Sequence, residues 1–378
     1  MRILLVEASG RGFLSHYSHA LGLGLQRTGA EVWLLTGRWD ELCNWPVPYR
    51  KHACLGTGYR AWRCVRTYVE EMEPDVVHLQ WVDNPIHAYR FVRWAQRRKV
   101  RVVYTPHNIL PHERRWLLMP VYRLLYRALD RVVARDTHLA WALEELLDTP
   151  RERVAHLPGS PNFLAMQTRE REIASPLPRL PDERRRLLFF GHGSPRKGLQ
   201  GLLQSVAGEA WSDVLHLLIA GENVMQCIAP ETLVSARAAM RISVLDRYVS
   251  PDEVAVLFRE ADLLLMPYTK QCRSPLLDLA AALRLPVLRS DRVQGTDFRE
   301  GVHGVTFPHD DPAAMRDWLK QSDWLVQSKK RLRALDDPFG SMDRLALGHD
   351  RLYRQLITAA SPVVGPALSA DSPLPTTR

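Results

Sequence analysis

Short apolar runs alternate along this chain with longer stretches whose apolar residues recur every third or fourth position. The runs ILLVEA, VWLLTG, DVVHLQW, RVVYTPHN, RVVAR and RVAHLPG read as strands. Between them, the stretches from His16 to Arg27, Tyr59 to Met72, Trp116 to Leu129 and Leu139 to Leu147 read as helices. Such alternation predicts a parallel sheet flanked by helices. From Ala165 to Arg186 the pattern lapses into a polar, proline-bearing, charged stretch. A second series follows, with strands in RLLFFGHG, VLHLLIAG, RISVLDRYV, ADLLLMPY, PVLRSD and GVTFP. Helical stretches separate them at Leu199–Val206, near Ala229–Ala239, at Pro251–Arg259 and at Pro275–Leu283.

The expected architecture is therefore α/β, with two Rossmann-like, doubly wound domains facing a cleft. Its boundaries are 1–165 for the first domain, 166–186 for a linker, 187–342 for the second domain and 343–358 for a last helix. The Pro-, Ser-, Ala- and Thr-rich stretch 359–378 has no periodicity and is expected to be a disordered tail. Folds of this kind bind ligands outside the carboxyl ends of their strands, so the chemistry is expected between the halves.

A chain of 378 residues is long enough for two ordinary cores, and 46% hydrophobic with 25% charged residues excludes a fibrous or mainly disordered protein. The net charge of +9 favours anionic partners: a nucleotide-sugar, nucleic acid or an anionic membrane surface. No zinc finger, helix-turn-helix or aromatic-rich RNA-binding motif accompanies that charge, which argues against nucleic acid. The five cysteines form no CxxC pair, so the expectation is a reducing cytoplasm, without zinc ribbon or disulfide framework. The opening apolar run is too short for a signal peptide or a spanning helix. In RRWLLMPVYRLLYRALDRVV, leucines and tyrosines alternate with arginines. That helix either turns its leucines to the core or lies on the anionic inner face of a membrane.

The sharpest chemical signal is FFGHGSPRKGLQGLLQSV, where a strand ends at Gly191, Gly193 lies in a tight loop, and Lys197-Gly198 opens a helix. Backbone N–H groups there can hold a diphosphate, Lys197 adding a charge and His192 a donor for the departing nucleotide. A plain strand-to-helix turn with a solvated lysine has the same sequence. Gly10 and Gly12 follow the first strand and allow close backbone approach to a ligand. A dinucleotide fingerprint would need a third glycine where Ser15 stands, so an oxidoreductase is disfavoured. His107 closes the strand RVVYTP, at the sheet's carboxyl edge. Ser274 stands at the start of a helix, placed to cap it or to bond a ligand. No D-x-D and no metal-ligand spacing occurs, so no metal and no cofactor is expected.

These segments together resemble the group-1 family of retaining GT-B glycosyltransferases. The loop GHGSPRKG is similar to the family's G-R-x-x-P-x-K-G, AALRLPVLRSD to its A-x-G-x-P-V-V-A-S, and GVHGVTFPHDDPAAM to its N-G-x-x-F-x-x-x-D-P. TPHN with PHE, and RVAHLPGSPNF, resemble segments of its first half. RISVLDRYVSPDEVAVLFREADLLLMPY resembles its nucleotide-binding strand and helix, which implies that Tyr248 lies beside the nucleotide. The resemblance implies transfer of a hexose from a nucleotide diphosphate sugar to a saccharide or lipid-linked acceptor, with His107 contacting the donor sugar and stabilising charge. Where the family carries two glutamates this chain has Gln271 and Leu279, with Asp278 one residue before the second, and His192 replaces an arginine. These departures leave a second possibility, a catalytically inactive GT-B protein or partner subunit.

Overall fold

Four consecutive buried side chains, Ile3 to Val6, make β1 (Arg2–Val6) the centre of the first sheet. In this computed structural model the described residues are 1–107, 115–157, 159, 162–164, 184–211, 214–294, 298–335 and 342–358. Asn108, the PHE segment, most of the linker and the tail 359–378 lie outside them. After β1 come β2 (Glu31–Gly37), β3 (Arg50–Leu55), β4 (Val76–Leu79), β5 (Arg101–Tyr104), β6 (Arg131–Ala134) and β7 (Val154–His156). They form one parallel sheet in the order β3-β2-β1-β4-β5-β6-β7.

The second half repeats this plan. Its strands are β8 (Arg185–Phe190), β9 (Leu215–Ala220), β10 (Arg241–Leu245), β11 (Leu263–Met266), β13 (Val287–Ser290) and β15 (Gly304–Phe307), ordered β10-β9-β8-β11-β13-β15 and all parallel. Two short strands, β12 (Cys272–Arg273) and β14 (Val293–Gln294), pair beside it. Strand β8 begins at Arg185, inside the stretch expected to be linker. In both sheets the order reverses beside the first strand, at β1/β4 and at β8/β11.

Two elements of the first half are absent from the apolar pattern. Strand β3, RKHACL, is an edge strand with a single buried residue, so it carries no hydrophobic signal. The helix Pro85–Arg97 hides its apolar stripe of Ala88, Phe91, Val92 and Ala95 among arginines, and the Asn84 side chain caps it by accepting from the N–H groups of Ile86 and His87. The first helix runs Gly12–Arg27, one turn longer than expected, and is buried almost all round from Ser15 to Leu25.

It is buried because the closing helix, Met342–Thr358, leaves the second domain and lies against the first. The Thr28 hydroxyl donates to Asp350, and Leu345 packs over Gly159. Deeper in, the Tyr353 hydroxyl meets His78 Nδ1 at 2.5 Å, while His78 Nε2 meets Thr105 Oγ1 at 2.8 Å. His349 stacks 5.4 Å from the His78 ring and bonds the Leu345 carbonyl through Nδ1. One hydrophobic core consequently runs through both domains, joining Leu5 and Tyr17 to Leu264, Leu345 and Tyr353. No helix among the described residues is long and apolar enough to cross a membrane.

Burial lowers His349 to about 4, and burial together with His349 keeps His78 well below the usual histidine range. Both are neutral when folded, whereas in the unfolded chain each titrates near about 6.5. Folding stability should therefore be full above about pH 6.5 and should fall as pH drops towards the folded value, with His349 contributing roughly 3 kcal/mol to the loss. Urea unfolding over a pH series checks this: His349→Leu should flatten the acid arm, and equal acid arms in the two proteins would exclude the histidine as its cause.

Candidate active site

The order reverses at β8/β11, and the carboxyl ends of strands at such a reversal are where folds of this kind bind ligands; the loop 191–198 follows β8 there. Glycine is required here by space. A Cβ on Gly193 would lie 1.9 Å from the Asn223 carbonyl oxygen, one on Gly198 1.8 Å from that of Pro267, and one on Gly221 2.4 Å from that of Gly191. The N–H groups of Gly191 and Gly193 already donate to the carbonyls of Ala220 and Glu222. This corrects the expectation that these glycines offer their N–H groups to a diphosphate: they let three strand ends pack together.

What they position is Lys197. The tight turn Pro195–Lys197 folds this side chain back over the strand end, where Nζ would lie 2.2 Å from a Cβ on Gly191. Burial, reinforced by the neighbouring Arg196, lowers the ammonium to about 8. Among the described residues no carboxylate pairs with it. A desolvated cation held over a strand end beside a helix start is a receptor for an anion. His192 differs, since its side chain is 62% exposed and its Nδ1 stands 3.8 Å from Glu222.

Across the cleft, Gly10 also proves to be packed by the protein, whereas Gly12 has open space beside it. A Cβ on Gly10 would lie 2.3 Å from the Trp39 carbonyl oxygen, and the Gly10 N–H donates to Glu7. Glu7, at the end of β1, also accepts from Ser9 N–H and Thr36 Oγ1. Burial pushes its carboxyl up to about 7 against the pull of those donors. The Gly12 N–H donates to Glu41, so the N–H groups of both glycines are bonded within the protein. Sequence reasoning missed Glu7 and Glu41, although an acidic residue directly ending a buried strand, as in ILLVEA, is a signal for the first.

His107 lies where it was expected, at the end of β5. Nε2 is 3.3 Å from Gln80 Oε1, the ring meets Tyr17 and Phe13 edge-on at 4.8 and 5.5 Å, and Nδ1 has no hydrogen-bond partner among the described residues. Burial, then Arg135 and His78, keeps its pKa well below the ordinary range. The imidazole is held in its neutral form, so it meets a ligand through a hydrogen bond, and any stabilisation of developing charge comes through that bond.

The two halves touch at Tyr248, which follows β10. Its hydroxyl donates to Glu41 Oε2, and Arg11 lies over its ring at 5.2 Å and over the Trp39 ring at 5.6 Å. Burial disfavours charge on Glu41, yet His16 at 3.3 Å, Tyr248 and the Gly12 N–H together hold its carboxyl below the usual range. Ser274 is not a cap: no side chain caps the helix Leu276–Ala282, and the Ser274 hydroxyl meets Tyr268 Oη at 3.2 Å instead. In that helix Leu279 is buried in the core, while Asp278, in the first turn, is part-exposed. Gln271 is exposed.

Residues 14–159 match the family model described as Glycosyltransferase Family 4, and residues 184–322 match that described as Glycosyl transferases group 1. No curated protein sequence matches the chain. Sucrose-phosphate synthase from Thermosynechococcus elongatus superposes with a TM-score of 0.67 at 17% identity, over 95% of this chain and 100% of that one. Anabaena Alr3699/HepE, solved in complex with UDP, gives 0.61 at 15% identity, over 95% and 100%. UDP-GlcNAc 2-epimerase from Neisseria meningitidis, solved bound to UDP-GlcNAc, gives 0.61 at 12% identity over the same shares. At such identities the likeness is one of fold.

The glycine packing yields a contrast. Gly193→Ala must drive a methyl into a backbone carbonyl and should cost about 3 kcal/mol or more, whereas Gly12→Ala meets open space and should cost only about 1 kcal/mol for its positive φ. Urea denaturation of both variants decides; equal losses would show that loop 191–198 relaxes freely.

Proposed function

Because both halves of the chain belong to glycosyltransferase families, the protein is a GT-B-type glycosyltransferase, and we propose that it transfers a hexose from a nucleoside diphosphate sugar, with retention and without a metal. The second domain holds the donor, and the first presents a saccharide or lipid-linked acceptor. The observation that carries this reading is Lys197: a part-buried ammonium with no carboxylate partner among the described residues, over the strand end at the β8/β11 reversal, complements the charge of a departing nucleoside diphosphate. During transfer the bond from C1 to the diphosphate oxygen breaks, a bond from C1 to the acceptor oxygen forms on the same face, and the acceptor's proton leaves with the diphosphate. Neutral His107 donates or accepts a hydrogen bond at the sugar.

The metal-free reading rests on Lys197, whose ammonium would take up the diphosphate charge that a metal would otherwise neutralise. Residues 1–165 carry 23 Lys and Arg against 16 Asp and Glu, which supports work at the anionic inner face of a membrane. A second reading, an inactive partner subunit, is favoured by Leu279, whose burial leaves no acid at that position. Calorimetric titration with UDP and GDP separates the two, because the enzyme must bind one of them.

Lys197→Ala should lower turnover by about 2–4 kcal/mol of transition-state stabilisation with the fold intact. Free Lys197 loses its proton near pH 8, so nucleoside diphosphate affinity should hold below that value and weaken above it, and Lys197→Arg should remove the dependence. Coincident pH profiles for wild type and Lys197→Arg would take the lysine out of the diphosphate site. Activity should also survive EDTA; loss restored by magnesium or manganese would replace the lysine-only account.

A further inference from the structure

Trp39 is 67% exposed, although the backbone on either side of it is pinned. Arg38 N–H donates to the Leu55 carbonyl, and Glu41 N–H to that of Gly10. Asp40 is buried, with Lys51 Nζ 2.7 Å from one oxygen and Leu42 N–H 3.0 Å from the other. The Trp39 carbonyl sits where only a glycine at position 10 leaves room. A rigid loop that could have turned its indole inward instead holds it in water, following β2 at the carboxyl edge of the acceptor-side sheet. The ring stands at the cleft mouth, since Arg11 touches both it and Tyr248 of the opposite domain.

We propose that Trp39 is a stacking platform for the acceptor and that the acceptor is a saccharide. The inference rests on the glycosyltransferase reading and names its acceptor class. A pyranose ring presents a face of C–H groups and an equator of hydroxyls. The C–H face packs against an indole, gaining dispersion and contact with the negative π-face. The hydroxyls need hydrogen-bond partners at the sugar's rim, and the Arg11 guanidinium, which lies over one side of the indole, offers several N–H donors beside it. A lipid tail would cover the indole but bury the remaining Arg11 N–H groups beside it without acceptors. A nucleobase would also stack, but it belongs to the donor, on the opposite domain.

The test uses saturation-transfer NMR with methyl β-D-glucopyranoside, methyl β-D-galactopyranoside, methyl α-D-mannopyranoside and maltose, at millimolar concentration with UDP present. Calorimetry follows UDP and GDP in parallel. At least one glycoside should bind the wild type, bind Trp39→Ala about fivefold or more weakly, and recover with Trp39→Phe, while nucleotide affinity stays within about twofold. Equal glycoside binding by Trp39→Ala, or no glycoside binding at all, overturns the platform. A large loss of nucleotide affinity in Trp39→Ala overturns it in favour of a base platform. If a glycoside binds through Trp39 while neither nucleotide binds the wild type, the platform stands and the nucleotide-sugar reading falls. Circular dichroism confirms that the variants fold, as removal of an exposed ring should allow.

Discussion

The relative placement of the two sheets depends on the closing helix lying against the first helix. Without Met342–Thr358 the apolar side of the first helix, whose Tyr17, Leu21 and Leu25 share one core with Leu345, Leu352, Tyr353 and Leu356, would lose part of its cover. With it, Tyr353 reaches His78 beside the β1/β4 reversal, so the strand ends that carry Gln80 and His107 are braced by a residue 275 positions after His78. Ridge against ridge, the two helices turn two separate α/β units into a single core.

The two sides of the cleft carry charge differently. Burial leaves His78 and His107 neutral, so these strand ends meet a ligand with hydrogen bonds, while Arg11 and Glu41 at the rim are already engaged with Tyr248. The second domain meets it with Lys197, whose desolvation is a standing cost that an anion would relieve. A donor whose diphosphate carries the charge and an acceptor rich in hydroxyls fit this division, each on its own domain.

The alternation of apolar runs contains the two parallel sheets because strands covered on both faces leave no other signal. It misses β3, whose edge position needs little hydrophobicity, and the short β12 and β14. The site was legible in part. Lys197 and His107 could be named because each ends a strand or opens a helix, and strand ends in such sheets are where ligands meet side chains. The roles of Gly10, Gly191 and Gly193 were not legible, since a glycine that admits a ligand and one that admits a neighbouring carbonyl look identical in sequence. Glu7 and Glu41 escaped for the same reason: only the fold shows whose N–H groups a carboxylate accepts. Ser274 precedes a helix as a cap would, but its hydroxyl is bonded to Tyr268, a partner six residues back that no spacing rule supplies.

Glu41 is where these threads meet. One carboxylate accepts from the first helix's opening N–H, from His16 and, across the cleft, from Tyr248, so any ligand that takes one of these donors changes the balance at the other two. Its carboxyl gains from all three and is held below its usual range despite burial. Releasing Tyr248 to a nucleotide would cost Glu41 a charge-assisted hydrogen bond, a loss of about 1.5–3 kcal/mol unless a hydroxyl of the second substrate replaces it. The acceptor loop at Trp39 and the donor-side tyrosine thus share one acceptor group, and filling either side of the cleft alters what the other side must provide.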